Sequence, residues 1–187
     1  VQVLFSGLVS ANKPWKQYYT RVSGVISPHN VDANVAAMSE LIDASFTPPN
    51  HAFLFTDEMP TTGEDAEIIT IDWGAVMYNS RFVYDVDSNQ YFRYMLQKND
   101  EEVAYEDKYT QEQLAFSNLI VQHTTVTWNG SSDAPVTVHI GEGNADIFIG
   151  GRYIPGYWVR ESVSSPTVYF DDKGNEIQLT RGKTFIA

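Results

Sequence analysis

The sequence DIFIGGRYI at residues 146–154 is the clearest structural signal in the chain. Two runs of β-branched and aromatic residues flank a pair of glycines, and this arrangement predicts a β-hairpin, because glycine readily adopts the positive φ angles of a two-residue turn. A second turn signal, DDKGN at residues 171–175, separates the predicted strands 167–170 and 176–179. We therefore predict closely spaced antiparallel strands in the C-terminal part of the chain.

The β pattern continues upstream to residue 67, whereas the preceding part of the chain differs. Further strands are predicted at residues 52–56, 68–73, 81–85, 91–96 and 118–128. Residues Val31–Ala44 have helical spacing, with Asn30 or Asp32 as a candidate N-cap. We predict an α+β fold that is mainly β: an antiparallel β-sandwich or open barrel preceded by a short helical segment.

The acidic stretch DEMPTTGEDA at residues 57–66 separates these two patterns. It contains proline and glycine and lacks periodicity, which is typical of a surface loop or a linker. We expect the domain boundary here, with residues 1–60 carrying the amphipathic helix and residues 67–187 forming a β-domain.

The composition excludes several classes of function. The 187-residue chain has a formal net charge of −12, which would repel nucleic acid, anionic lipid and anionic wall polymers. It contains no cysteine, which excludes thiol catalysis and cysteine-ligated metal centres. No apolar run approaches the roughly 20 residues of a membrane span. The chain begins at Val1 without the basic segment of a signal peptide, so we expect a processed or truncated piece.

No catalytic or metal-binding motif stands out. The histidines His29, His51, His123 and His139 share no ligand spacing, and histidines within strands are more often structural. The acidic residues at 171–176 allow a calcium hypothesis, but a hairpin turn explains them better because the EF-hand spacing is absent. A Ser-His-Asp set or a carboxylate pair could still assemble in three dimensions. We expect no metal and no cofactor.

Several C-terminal segments resemble one protein family in order and spacing. They are Gly141-x-Gly143, 145–148, 151–154, 156–160, 166–171, 174–177, Leu179 and 182–186. Together they closely resemble the C-terminal domain of the YerB-like bacterial lipoproteins. Residues 83–85, Tyr91-x-Arg93 and 118–122 look like earlier signatures of this family, and residues 28–31 look like the end of its N-terminal domain. Phe185 departs from the pattern, because the family commonly has tryptophan there.

The resemblance implies a placement for the protein rather than a reaction. Residues 1–60 would be a remnant of the family's N-terminal domain, followed by the C-terminal β-domain. The parent protein would lie outside the cytoplasmic membrane of a Gram-positive-type cell, held by a lipid anchor that is absent from this chain. This is the only membrane association that we expect.

Two hypotheses of function follow. We favour a non-catalytic binding or scaffolding module of the cell envelope, which would bind an envelope protein or a cell-wall component through an aromatic sheet face or exposed edge strands. Candidate binding residues are Tyr157, Trp158, Arg160, Tyr84 and Arg93. The alternative is an enzyme, or half of one, acting on wall glycan or peptide. His29 is then the candidate general base, since loop histidines are well placed for a site, although helix capping explains it equally well.

Overall fold

The chain divides into two compact units, Val1–Pro48 and Pro49–Ala187. The structure is a computed structural model, and it describes residues 16–26, 30–40, 53–73, 79–97, 101–128 and 135–187. The second unit begins at Pro49, upstream of the acidic segment 57–66. The sequence places the boundary within that segment. Residues within this segment pair with the later β-strands, as described below.

The first unit contains a small antiparallel pair and one short helix. A 3₁₀ turn (Lys16–Tyr18) leads into β1 (Tyr19–Arg21), which pairs with β2 (Val31–Ala33). Helix α1 (Val35–Ser39) follows directly. No helix in the described parts of the chain is long and apolar enough to cross a bilayer.

Helix α1 begins later than the sequence predicts. Asn34 is its N-cap, and the Asn34 side-chain oxygen accepts a hydrogen bond from the backbone N–H of Ala37 at 3.0 Å. Asn30 and Asp32 do not cap the helix, because residues 31–33 pair with β1 as a strand. Residues 41–44 of the predicted helix lie outside the described residues.

The second unit is built from β-strands that form two larger sheets and two strand pairs. The strands are β3 (Leu54–Thr56), β4 (Glu64–Asp65), β5 (Ile68–Ile71), β6 (Ser80–Asp85), β7 (Gln90–Leu96), β8 (Glu102–Ala104), β9 (Ala115–Phe116), β10 (Asn118–Gln122), β11 (Val126–Trp128), β12 (Pro135–Thr137), β13 (Gly141–Ile149), β14 (Arg152–Arg160), β15 (Val168–Asp171), β16 (Gln178–Thr180) and β17 (Thr184–Ile186). The six-stranded sheet has the order β15-β14-β13-β10-β17, with β4 beside β14. The five-stranded sheet has the order β5-β6-β7-β8, with β9 beside β7. The predicted α+β fold, mainly β, is confirmed.

The predicted hairpin at residues 146–154 lies at the centre of the six-stranded sheet. β13 and β14 pair in continuous register over nine residues each, and Gly150 and Gly151 form the turn with φ angles of 59° and 74°. Pro155 and Gly156 introduce no bulge. A Cβ atom at Gly156 would lie 2.1 Å from the carbonyl oxygen of Phe170, so glycine here allows β15 to approach β14.

The six-stranded sheet buries apolar side chains on both faces. On one face Ile120, Ile147 and Trp158 pack against Leu179 of β16. The opposite face contributes Leu119 to a second core, which includes Phe82 and Tyr91 of the five-stranded sheet. Successive side chains of a strand point to opposite faces, so the neighbours Leu119 and Ile120 enter different cores. The larger sheets thus face each other across the second core, and this explains the unbroken apolar run in β10.

The second predicted turn forms, but the strand after it pairs elsewhere. The Asp171 carboxylate accepts hydrogen bonds from the backbone N–H groups of Lys173 and Asn175, which accounts for the acidic cluster as turn chemistry. Only one bridge, Phe170 to Glu176, links the two arms in the described residues. β16 instead pairs in parallel with β3, and β17 pairs in parallel with β10. The pairing is therefore not wholly antiparallel.

The side chain of Asn118 stabilises the positions of β16 and β17. Asn118 is fully buried at the start of β10, and its amide nitrogen donates to the Thr180 carbonyl oxygen at 2.9 Å and to the Thr184 hydroxyl at 3.1 Å. Its amide oxygen accepts from the backbone N–H and the hydroxyl of Thr180, both at 2.9 Å. One amide thus joins β10 to β16 and β17.

The Asn118→Ala substitution should lower the free energy of unfolding by about 3 kcal/mol, because it leaves the buried polar groups of Thr180 without partners. Urea unfolding followed by tryptophan fluorescence measures the change. Asn144→Ala in β13 is the matched control, since Asn144 is exposed and should contribute little. Equal effects of the two substitutions would contradict the role assigned to Asn118.

Tyr169 predicts how stability depends on pH. Burial raises the pKa of its phenol to about 12, while the phenol donates to the Gln122 side-chain oxygen at 2.7 Å. A phenol in the unfolded chain ionises near pH 10, so the unfolded state releases its proton first as pH rises. The stabilisation is complete below pH 10 and is lost towards pH 12. Between pH 10 and pH 12 the free energy of unfolding should therefore fall by about 2 kcal/mol less in the Tyr169→Phe variant than in the unsubstituted protein.

Chemical unfolding at pH 9, 10, 11 and 12 tests this expectation. Tyr109→Phe is the control, because Tyr109 is 78% exposed. A Tyr169→Phe profile parallel to that of the unsubstituted protein would show that the phenol does not contribute to the alkaline loss.

Candidate functional site

A partly open cavity of about 250 Å³ lies at one end of the six-stranded sheet. Residues 123–125, which follow β10, form one side of it, and Val138, Ile140 and Glu142 form the other. Gly143 and Trp158 complete the lining. The cavity therefore lies where the hairpin β11–β12 leaves the sheet.

His123 is fixed in the wall of this cavity by its main chain. Its N–H donates to the Asn144 carbonyl oxygen at 3.0 Å, and its carbonyl oxygen accepts from the indole nitrogen of Trp158 at 2.8 Å. Gly143 is required beside them, because a Cβ atom there would lie 2.6 Å from the His123 carbonyl oxygen. These contacts hold the start of the loop after β10 against the sheet.

The His123 side chain belongs to a hydrogen-bonded chain of three residues. Its Nε2 atom lies 2.7 Å from Oδ2 of Asp146, and Oδ1 of Asp146 accepts from the Tyr153 hydroxyl at 2.9 Å. The register places Asp146 opposite Val121 on β10 and Pro155 on β14, which brings it between His123 and Tyr153. Burial and the adjacent Asp146 raise the pKa of Tyr153, so its phenol remains a donor.

This chain determines which nitrogen of neutral His123 carries the proton. The Asp146 carboxylate can only accept hydrogen bonds, so the proton it shares with neutral His123 lies on Nε2. Nδ1 is then the acceptor nitrogen of an imidazole whose side chain is 54% exposed. In the described residues, no hydroxyl is hydrogen-bonded to the imidazole as a nucleophile would be. The site thus offers a base or an acceptor without a paired nucleophile.

The remaining lining combines oxygen atoms with apolar side chains. Glu142 is exposed, and the Thr124 hydroxyl donates to the Val138 carbonyl oxygen, which leaves its own lone pairs as acceptors. Val138 and Ile140 are both about two-fifths exposed at 42% and 41%. Among the described residues of the lining there is no lysine or arginine. Within the described residues, three or more metal-ligating side chains do not cluster anywhere.

An exposed apolar surface adjoins the cavity. It covers both faces of the hairpin, with Val126 and Trp128 on one face and Val136 and Val138 on the other, followed by Ile140, and we call it the hairpin surface. Trp128 is 69% exposed, which is unusual for so large a side chain. The described residues 121–128 and 135–141 contain no aspartate, glutamate, lysine or arginine. Sequence analysis missed this surface because residues 118–128 were interpreted as one long strand.

The structure places three of the predicted binding residues on β14. Trp158 is only 2% exposed and lies in the core, so its ring is not part of the surface. The Arg160 guanidinium donates to the carbonyl oxygens of Ser162, Val163 and Ser165 and thereby holds its own loop. Tyr157 lies on the opposite face and stacks on Phe170 with ring centroids 5.1 Å apart. Adjacent strand positions thus separate Tyr157 from Trp158 and Arg160.

Tyr84 and Arg93 belong to β6 and β7 of the five-stranded sheet, whereas β14 belongs to the six-stranded sheet. Tyr84 is half-buried, and its hydroxyl donates to Asn89 at 2.9 Å. Arg93 donates to the Ser80 hydroxyl at 2.9 Å and lies 4.5 Å from the centroid of the Tyr105 ring. Burial lowers the pKa of Arg93. Binding by Tyr157, Trp158, Arg160, Tyr84 and Arg93 remains a prediction.

The candidate base from sequence analysis, His29, lies outside the described residues, as does His51. Sequence analysis considered His123 only as a metal ligand or a structural residue. Its partners Asp146 and Tyr153 both lie within the predicted hairpin, but their proximity to His123 depends on how β10 aligns with β13. A hairpin signal contains no information about that third strand.

Comparison with known proteins supports the family resemblance. Residues 69–186 match the model of a family described as "Protein of unknown function (DUF3048) C-terminal domain". The crystal structure of the YerB protein from Bacillus subtilis is similar, with a TM-score of 0.66 and 18% sequence identity over 90% of this chain and 55% of that one. The likeness at this identity concerns the fold, and the chain spans little more than half the length of YerB. No match was found among curated proteins.

The match to the family model extends over well more than half of the chain. It includes every C-terminal segment, from Gly141 to residues 182–186, in which the sequence resembles YerB-like proteins. The protein therefore belongs to the DUF3048 family, the YerB-like family that these segments predict.

Proposed function

We propose that this protein is a non-catalytic binding module of the cell envelope, and that it binds a partner protein through the hairpin surface and the adjoining cavity. The hairpin surface carries the proposal. Five apolar side chains are exposed there within a described stretch that lacks ionisable residues other than histidine. Large exposed apolar side chains concentrated on one hairpin favour an interaction site.

Charge and side-chain chemistry favour a protein over a wall polymer as the partner. The net charge of −12 opposes approach to anionic polymers, whereas the hairpin surface itself is uncharged in its described part. Tryptophan is enriched among the residues that contribute most to protein–protein affinity. Trp128 is therefore expected to be the main contact.

The family resemblance supports an extracytoplasmic location. YerB-like proteins are expected to be lipid-tethered outside the cytoplasmic membrane, and we propose the same location for the parent protein of this chain. Its partner would then be another envelope protein. The six-stranded sheet from which the hairpin extends is packed on both faces and would support the hairpin at its base.

The hydrogen-bonded chain of His123, Asp146 and Tyr153 favours a second candidate function, an enzyme acting on wall glycan or peptide. A carboxylate that orients a histidine is a common way to prepare a general base. His123 would take the place that sequence analysis gave to His29. We rank this function second because no nucleophile is paired with His123 in the described residues.

A photo-crosslinking amino acid in place of Trp128 should capture one defined envelope protein in cells that produce the parent protein. The same amino acid in place of Tyr109 is the control, since Tyr109 is an aromatic residue of similar exposure on the loop between β8 and β9. The unmodified hairpin surface should compete, so excess purified chain should reduce the yield at position 128, and excess Trp128→Ala chain should not. Equal capture at both positions, or none at either, would contradict the proposal.

Co-sedimentation with purified sacculi separates this function from the alternatives. The chain should stay in the supernatant and release no muropeptides. Pelleting would indicate a wall-binding module, while muropeptide release that His123→Ala abolishes would establish the enzyme. Both results would overturn the proposed protein partner.

A further inference from the structure

We infer that the cavity beside His123 binds a primary ammonium group on an aliphatic stem, namely a lysine side chain of the partner protein. The inference rests on the proposed function and names the chemistry of its partner. It is carried by the lining of the cavity, which combines hydrogen-bond acceptors with apolar side chains.

The polar atoms of the lining act as hydrogen-bond acceptors. The carbonyl oxygen of His123 lies beside Gly143 and accepts a hydrogen bond from the indole nitrogen of Trp158. The Thr124 hydroxyl already uses its proton in bonding to the Val138 carbonyl oxygen. Glu142 adds a carboxylate. An ammonium group has three donors and no acceptor, so it matches these acceptors, whereas the Glu142 carboxylate would repel a carboxylate or a phosphate.

The apolar part of the lining suits the stem of lysine. Val138, Ile140 and the edge of Trp158 line the same cavity as Glu142. Lysine buries its methylene groups along apolar surface while its charged end stays near water and counter-charges. A partly open cavity bounded by both kinds of residue allows this placement.

Size and charge agree with a single basic side chain. The volume of about 250 Å³ lies below the roughly 300–1,000 Å³ of sites that enclose drug-sized ligands. The described lining contains no lysine or arginine, and the chain has a net charge of −12, which attracts a basic partner. Val138 and Ile140 belong to both the cavity and the hairpin surface, so a partner that grips the hairpin can also reach the cavity.

The test is a titration of the ¹⁵N-labelled chain with Nα-acetyl-lysine-N-methylamide, followed by NMR. The amide signals of His123 and Gly143 and the indole N–H signal of Trp158 should shift in a saturable manner. Nα-acetyl-norleucine-N-methylamide, which has a similar stem without the charge, should bind several-fold more weakly. Glu142→Gln should raise the Kd for the lysine compound about fivefold, the size expected when an exposed ion pair is lost.

Glu161→Gln is the matched control, because Glu161 is also exposed and follows β14 outside the cavity. It should leave the Kd unchanged. Equal affinity for the norleucine compound, equal effects of the two glutamate substitutions, or an absence of shifts would each overturn the inference. N-acetylglucosamine is titrated in parallel, and shifts produced by the sugar but not by the lysine compound would assign the cavity to a glycan.

Failure of this inference is distinguishable from failure of the proposed function. Specific crosslinking at position 128 together with an unresponsive cavity would leave the partner protein in place and remove only its lysine. Saturable binding of the lysine compound without specific crosslinking would support the ammonium site in the cavity and contradict the proposed contact at Trp128.

Discussion

The buried amide of Asn118 is the interaction on which the arrangement of the second unit depends. An amide offers donors and acceptors at once, and Asn118 uses both to satisfy Thr180 on a strand that has no sheet partner other than β3 in the described residues. An apolar residue at this position would remove the hydrogen bonds that the Asn118 amide makes to the buried backbone N–H and carbonyl oxygen of Thr180. The amide thus fixes where β16 lies, and β16 in turn carries Leu179 into the core.

Strand β10, which begins at Asn118, imposes a second constraint, because it separates two cores. Leu119 and Ile120 are both fully buried but face opposite layers, so neither can become polar and the strand cannot shift by one residue. A fixed register in β10 also fixes where His123 emerges from the sheet. The position of the candidate site is thus a consequence of how the core is packed.

The sequence predicted those features that depend on neighbouring residues and missed those that depend on distant ones. Gly150 and Gly151 identify their hairpin because the turn conformation is a local property. The start of α1 was predicted too early because tertiary pairing of residues 31–33 overrides helical spacing. Trp158 was considered a surface residue, since alternation along a strand reveals two faces but not which of them is buried. The contact of His123 with Asp146 required a strand alignment that no single stretch of sequence contains.

The parallel pairing of β3 with β16 has a consequence for how the chain folds. It joins residues more than a hundred positions apart, whereas β13 and β14 meet across a two-residue turn. Closing so long a loop costs chain entropy before the contacts that offset this cost can form. Topologies rich in such distant contacts therefore fold slowly. The central hairpin can therefore form early, while one apolar face of the six-stranded sheet stays uncovered until β3 and β16 arrive. During that interval the nascent chain exposes an aggregation-prone surface, which makes chaperone protection during synthesis more important for this protein than for one built from local hairpins alone.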